Sequence, residues 1–193
     1  LYAGGSHALE QMVTEAAGSV TDPQTNVSVL KRAQAAEAVS ASDIRSEKEA
    51  MTKEGFNFEA LGSGSDYSSF LQHLGVPSLN LGFGGEDDGG EYHSIFDSYD
   101  MYRRFKDPSF QYGVVLSKTA GHIMLRLANA ETLPFNFSNV YTTIAGYAKE
   151  LENKLDDMRE TTAIENKLIG ENFYGIAADT AMHIMPPTIK NEV

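Results

Sequence analysis

The chain has 193 residues, with 15 Lys and Arg against 27 Asp and Glu, a formal net charge of −12. A surface of that sign repels phosphate, so nucleic acid is excluded as the main partner. Cysteine is absent, which rules out disulfides, thiolate metal sites and cysteine nucleophiles together. The compartment stays open, an extracytoplasmic one included, since an exported protein can dispense with disulfides. No run approaches the roughly 18 apolar residues of a membrane helix, and the first ten residues do not read as a signal peptide. An apolar fraction of 41% with ten Phe and nine Tyr is enough to build a core. A start at Leu1 rather than Met reads as the cut edge of a longer chain.

Leu9, Met12, Val13, Ala16, Ala17 and Val20 recur at three- and four-residue steps, which predicts a helix over residues 6–20 with Ser6 as its N-cap. Residues 21–26, with Pro23 among them, form a turn by composition, and an alanine-rich helical pattern follows over 27–40. Between 41 and 61 polar and charged residues dominate and periodicity fades, so an exposed connection is expected. Phe70, Leu71 and Leu74 then make a short helical face that begins at Ser65 or Asp66 and stops at Gly75. The apolar run 76–83 has the texture of a buried strand and empties into the glycine-rich acidic loop 84–91. Open α/β sheets place binding residues at the carboxyl ends of strands, so chemistry is expected after Phe83. Asp107-Pro108 interrupts, and residues 110–130 read as a long helix carrying Tyr112, Leu116, Ile123 and Leu127, closed by Pro134. A second long helix is predicted over 139–169, with Gly170 as its stop. Its apolar stripe is Ile144, Ala148, Leu151, Leu155 and Met158, and its solvated face carries Lys149, Glu150, Glu152, Asp156 and Glu160.

Among the histidines His93 is the most informative, because it opens the run His93, Ser94, Asp97, Asp100 directly after the acidic loop. Neutral imidazole is a common zinc ligand whose second nitrogen needs an oxygen partner, and Ser94 and Asp97 are the candidates by proximity. A surface histidine beside a helix-capping aspartate fits the same spacing. For Tyr92 an aromatic packed under the loop is the structural alternative. Glu86, Asp87, Asp88 and Glu91 lack the ordered ligand spacing of a calcium loop and read as a solvated acidic rim.

The segments LGSGSDYSSF, GVPSLNLGF and YHSIFDSYD, followed by DPSFQYG and LRLANAETLPF, resemble the C-terminal half of the peptidase domain of the co-catalytic two-zinc exopeptidases. The resemblance is to the glutamate carboxypeptidase and transferrin-receptor branch, and it covers most of the chain. It implies an α/β fold: residues 1–134 as the C-terminal part of an αβα zinc peptidase domain, and 135–193 as the start of a helical dimerisation domain. It implies that His93 is a zinc ligand and that the Tyr92 hydroxyl contacts substrate and the tetrahedral oxyanion. Ser63, Gly64 and Ser65 match backbone lining the substrate cleft, and Asp66 an acid that holds that loop; a helix N-cap with a tight turn accounts for the same four residues. The expected partners are a peptide substrate and a second copy of the chain, and the expected cofactor is Zn2+, two per complete active site.

The departures qualify this expectation. Two arginines that favour an acidic residue in the glutamate-trimming members align with Asn80 and Gly82, so that preference is not carried over. The remaining zinc ligands and the glutamate base would lie upstream of Leu1. His7, His73, His122 and His183 match none of them and read as satisfied or exposed histidines. The family's carboxylate-gripping lysine and tyrosine would lie beyond Val193. The expectation is therefore a segment inactive by itself, with a non-catalytic transferrin-receptor-like binding module as the alternative.

Overall fold

The computed structural model describes residues 1–85, 89–178 and 187–190. Glu86, Asp87 and Asp88 of the expected acidic rim, and His183, lie outside them. The chain divides into two compact units, Leu1–Val140 and Tyr141–Val193.

The first unit mixes helix and sheet, compatible with the α/β class. Its sheet has the order β2-β1-β3, formed by β1 (Tyr2–Gly5), β2 (Phe58–Glu59) and β3 (Leu79–Gly82). Ala3 pairs with Phe58 in the parallel ladder to β2 and with Leu81 in the antiparallel ladder to β3. The helices are α1 (Glu10–Ser19), α2 (Val29–Ser40), α3 (Ile44–Thr52), the single turn α4 (Tyr99–Met101) and α5 (Gln111–Ala128). The stripe read from the sequence is the one α1 buries: Met12, Val13, Ala16 and Ala17 are in the core, with Leu9 before the helix and Val20 after it. They pack with Ala3, Phe56, Phe58, Val29, Val115 and Ile123, so the core lies among the sheet, α1, α2 and α5. Removing these side chains from water supplies the main drive to fold, at roughly 25 cal/mol per Å2 of apolar surface.

Four local expectations are corrected. The sequence gives no sign of β1, because a four-residue strand with two glycines shows no alternation. Gly5 is required there: a Cβ on it would stand 2.5 Å from the Ser78 carbonyl oxygen. Ser6 does not cap the helix; its backbone is extended, and its Oγ accepts from the Ser78 amide at 3.1 Å, tying α1's entrance to β3.

Residues 41–61 are not a bare connection but hold α3 and β2. The Asp43 carboxylate accepts from the Ser46 amide and hydroxyl at the start of α3. Gln34 of α2 donates to the carbonyls of Lys53 and Gly55 after its end. Ala50, Phe56 and Phe58 are buried, so tertiary contact overrides the polar local composition. Finally, β3 is an edge strand among the described residues, half-buried except at Gly82.

The helical face at Phe70 and Leu74 forms as a π-helical turn over Ser69–His73 but is exposed, and Gly75, at φ +67°, ends it in the left-handed region. Helix α5 starts one residue later than expected, after Phe110 at φ +56°. Asp107, buried, accepts from the Gly113 amide at 3.0 Å and so satisfies a donor of the first turn.

The second unit contains most of the long helix α6 (Phe137–Gly170), the short α7 (Phe173–Ala177) and residues 187–190. Asn166 and Lys190 exchange two hydrogen bonds, the Lys190 amide donating to Asn166 Oδ1 at 2.8 Å and Asn166 Nδ2 to the Lys190 carbonyl at 2.9 Å. Lys190 also pairs with Glu165. Along α6 the predicted stripe residues Ile144, Leu151, Leu155 and Met158 are exposed.

Candidate functional site

The loop that leaves β3 carries Tyr92 and His93 in a tight turn. The Glu91 carbonyl accepts from the Ser94 amide at 2.9 Å and from the Ser94 hydroxyl at 2.6 Å. Ser94 Oγ in turn accepts from the Phe96 amide, and the Ser94 carbonyl from the Asp97 amide. This winding sets His93 at φ +60°, a left-handed conformation uncommon for a residue with a Cβ. The Tyr92 and His93 rings stack at 3.8 Å between centroids and 24° between planes. Both residues face solvent, Tyr92 at 75% exposure, so the reading of Tyr92 as an aromatic packed under the loop does not hold.

Neither oxygen partner expected for His93 meets its ring. Ser94 Oγ is engaged with Glu91 and Phe96, and no hydrogen bond among the described residues joins Asp97 to the imidazole. Asp100 pairs with Arg104 at 3.0 Å, while Ser98 caps α4 by accepting from the Met101 amide. Glu91 itself meets Lys106 Nζ at 2.6 Å, and that hydrogen bond holds its carboxyl below the usual carboxylate range.

Ser63, Gly64, Ser65 and Asp66 lie exposed after β2. Gly64 has φ +90° with nothing within 4 Å of where a Cβ would stand, and the Ser65 carbonyl accepts from the Ser68 amide at 2.9 Å. This is an open backbone turn leading into a helical segment. Because β2 runs parallel and β3 antiparallel to β1, the two loops leave the sheet at opposite ends. Among the described residues no hydrogen bond, ion pair or ring contact joins Ser63–Asp66 to Tyr92–Asp97.

No group of three metal-ligating side chains converges among the described residues. A catalytic zinc takes at least three protein ligands, so the described residues do not form a complete centre. At the loop after β3 they offer one exposed imidazole, that of His93. His73 is exposed, and His122 Nδ1 lies 2.8 Å from Ser19 Oγ, locking α5 to α1. His7 departs from expectation: its two ring nitrogens are buried with no hydrogen-bond partner, the ring edge against Phe58 and Glu10 at 3.6 Å. At the positions aligned with the specificity arginines, Asn80 pairs across to Gly4, and Gly82 lies under the Tyr2 ring, whose atoms would stand 2.5 Å from a Cβ. A side chain at 82 would have to displace Tyr2.

Sequence reasoning missed one charged centre altogether. Asp22 is 1% exposed and accepts from the amides of Gln24 and Thr25, the Thr25 hydroxyl, Arg32 Nη1 at 2.7 Å and the Tyr112 hydroxyl at 3.3 Å. It fastens the turn after α1 to α2 and α5. Asp22 lies inside a composition-defined turn and its tyrosine partner 90 residues away, so no local pattern announces it.

No family model matches the chain. Among curated proteins it is similar to the Probable glutamate carboxypeptidase LAMP1 of Arabidopsis thaliana, 38% identical over 111 residues, which are 58% of this chain and 14% of that protein. It is 31% identical to the Aminopeptidase NAALADL1 of Rattus norvegicus over 134 residues, 65% of this chain and 18% of that protein. A Probable glutamate carboxypeptidase of Arthroderma benhamiae is 35% identical over 104 residues, 52% of this chain and 14% of that protein. The matched part therefore spans 14% to 18% of the length of these relatives.

Proposed function

We propose, from its similarity to glutamate carboxypeptidase-like and aminopeptidase relatives, that the chain is a segment of a peptidase of that family and supplies one metal-ligating imidazole and one oxyanion-binding phenol to the active site of a zinc-dependent exopeptidase of small peptides. The observation that carries this reading is the adjacent, exposed Tyr92 and His93 pair, with an imidazole that no described residue hydrogen-bonds. Residues 1–134 are the C-terminal part of the peptidase domain in this proposal, and 135–193 open a helical dimerisation domain. The exposed apolar stripe of α6 supports a homodimer.

Zinc, when bound, would polarise the scissile carbonyl and lower the pKa of the attacking water. His93 would hold it through a ring nitrogen. The Tyr92 hydroxyl would donate to the oxygen on which negative charge develops, an interaction stronger in the transition state than in the ground state. Ser63, Gly64 and Ser65 would offer backbone groups to the peptide. The other ligands and the base would come from outside these 193 residues, which alone would be inactive.

Purified full-length protein is expected to hydrolyse small peptides, to lose that activity to a chelator and to regain it with Zn2+, while the 193-residue chain alone hydrolyses nothing. Zinc-dependent turnover by the isolated chain, or none by the full-length protein, would sink the proposal. The second outcome would favour the alternative of a non-catalytic, transferrin-receptor-like binding module.

A further inference from the structure

We infer that Lys106 is a positioning residue for His93, acting through Glu91; the inference rests on the reading of His93 as a metal ligand. The turn that presents His93 hangs on one residue. Glu91 supplies the carbonyl that takes both Ser94 bonds, so the backbone of residues 92 and 93 is suspended between Glu91 and Ser94. The Glu91 side chain is anchored in turn to Lys106 at 2.6 Å. Lys106 ends a π-helical segment, Tyr102–Lys106, that is itself tied down: the Asp107 amide donates to the Tyr102 carbonyl, and the Tyr102 hydroxyl to Asp107 Oδ2 at 3.4 Å. Asp107 is buried at the start of α5.

A continuous chain of contacts therefore runs from α5 through Asp107, Lys106 and Glu91 to the His93 turn. The Lys106 and Glu91 side chains are 28% and 23% exposed, so their pairing is less screened than that of freely solvated charges. The need for an anchor is local. His93 holds a left-handed backbone at φ +60°, a conformation that costs energy and persists only where the surroundings fix it. The His93 ring receives no hydrogen bond from Ser94 or Asp97, which leaves backbone placement and the Tyr92 stack to orient it. Releasing Glu91 frees the turn on both sides of His93, and a ligand whose orientation is not fixed binds metal less well.

The test uses the full-length protein with three variants: Lys106→Met, Lys106→Arg, and the charge swap Glu91→Lys with Lys106→Glu. In metal-free protein, amide hydrogen exchange at Ser94 reports the turn itself. Lys106→Met is expected to speed it about fivefold, the worth of one modest ion pair. With Zn2+ as the probe, the same variant should bind about tenfold more weakly. Lys106→Arg and the charge swap should restore both readouts, which a purely steric role for Lys106 would not allow. Unchanged exchange and zinc affinity in Lys106→Met would overturn the inference, as would a loss that neither Arg nor the swap repairs. A wild-type protein that binds no zinc, in which Lys106→Met still loosens Ser94, would refute the metallopeptidase reading and uphold the anchor.

Discussion

Replacing Asp22 by alanine is expected to destabilise the first unit by about 3–5 kcal/mol, the range for breaking a buried ion pair from one side. The melting midpoint should fall by about 10 °C. The substitution leaves the Arg32 guanidinium without its carboxylate and strips the Gln24 and Thr25 amides of their acceptor. Tyr112, which donates to Asp22 and itself accepts from Arg32 at 2.5 Å, loses one side of its network. Asp22→Asn should cost less, because it keeps one acceptor oxygen while removing the charge. Denaturant unfolding of the three proteins checks the order.

The same carboxylate sets a pH limit. Burial alone would raise its pKa, but the Arg32 hydrogen bond and the Thr25 and Gln24 donors outweigh burial and hold it at about 2, against an ordinary 3.8. A depressed folded-state pKa contributes stability that is complete above the unfolded value and disappears as pH falls from about 4 toward about 2, in all about 2 kcal/mol. In Asp22→Asn that component of the acid limb should be missing.

The second large effect concerns Tyr92. In the full-length protein Tyr92→Phe is expected to lower kcat by about 10²–10³-fold with KM changed little, the usual consequence of removing one oxyanion donor. Because Tyr92 is largely solvent-exposed and keeps its ring on His93 as phenylalanine, stability should not change. Steady-state kinetics beside a thermal melt separate the two. A rise in KM at constant kcat would assign the hydroxyl to substrate binding instead of the oxyanion.

How far the sequence could be read depended on the range of the interactions. Helix α1 was legible because its stripe, Met12 to Ala17, buries within one element at helical spacing, and α5 and α6 were legible for the same reason of length and period. β1 and β2 were not, since strands of four and two residues carry no period, and what fixes them is Gly5 against Ser78 and Phe58 beside Ala3. Ser6 illustrates the limit on caps: its hydroxyl had a local use as N-cap and a distant one on the Ser78 amide, and tertiary geometry chose the distant one.

At the candidate site, position after the acidic loop drew attention to His93 and the family resemblance added Tyr92, and the two rings form a stacked pair. The partners were misjudged. Proximity in sequence pointed to Ser94 and Asp97 for His93, whereas Ser94 Oγ bonds the Glu91 carbonyl and the Phe96 amide, and the ion pair beside this turn joins Glu91 to Lys106, fifteen positions away. Asp22, Arg32 and Tyr112 stayed invisible for the same reason, since a buried ion pair assembled from a turn and two helices leaves no mark in any local window.

The proposed peptidase site stands or falls on His93 as a metal ligand. The measurement that bears on it most directly is zinc content of the full-length protein with and without His93→Ala, taken beside peptide hydrolysis on the same samples. His93→Ala is expected to lose about one bound zinc per protomer together with its hydrolytic activity, while its folding is unchanged. A His93→Ala protein with wild-type zinc content and wild-type hydrolysis would contradict it.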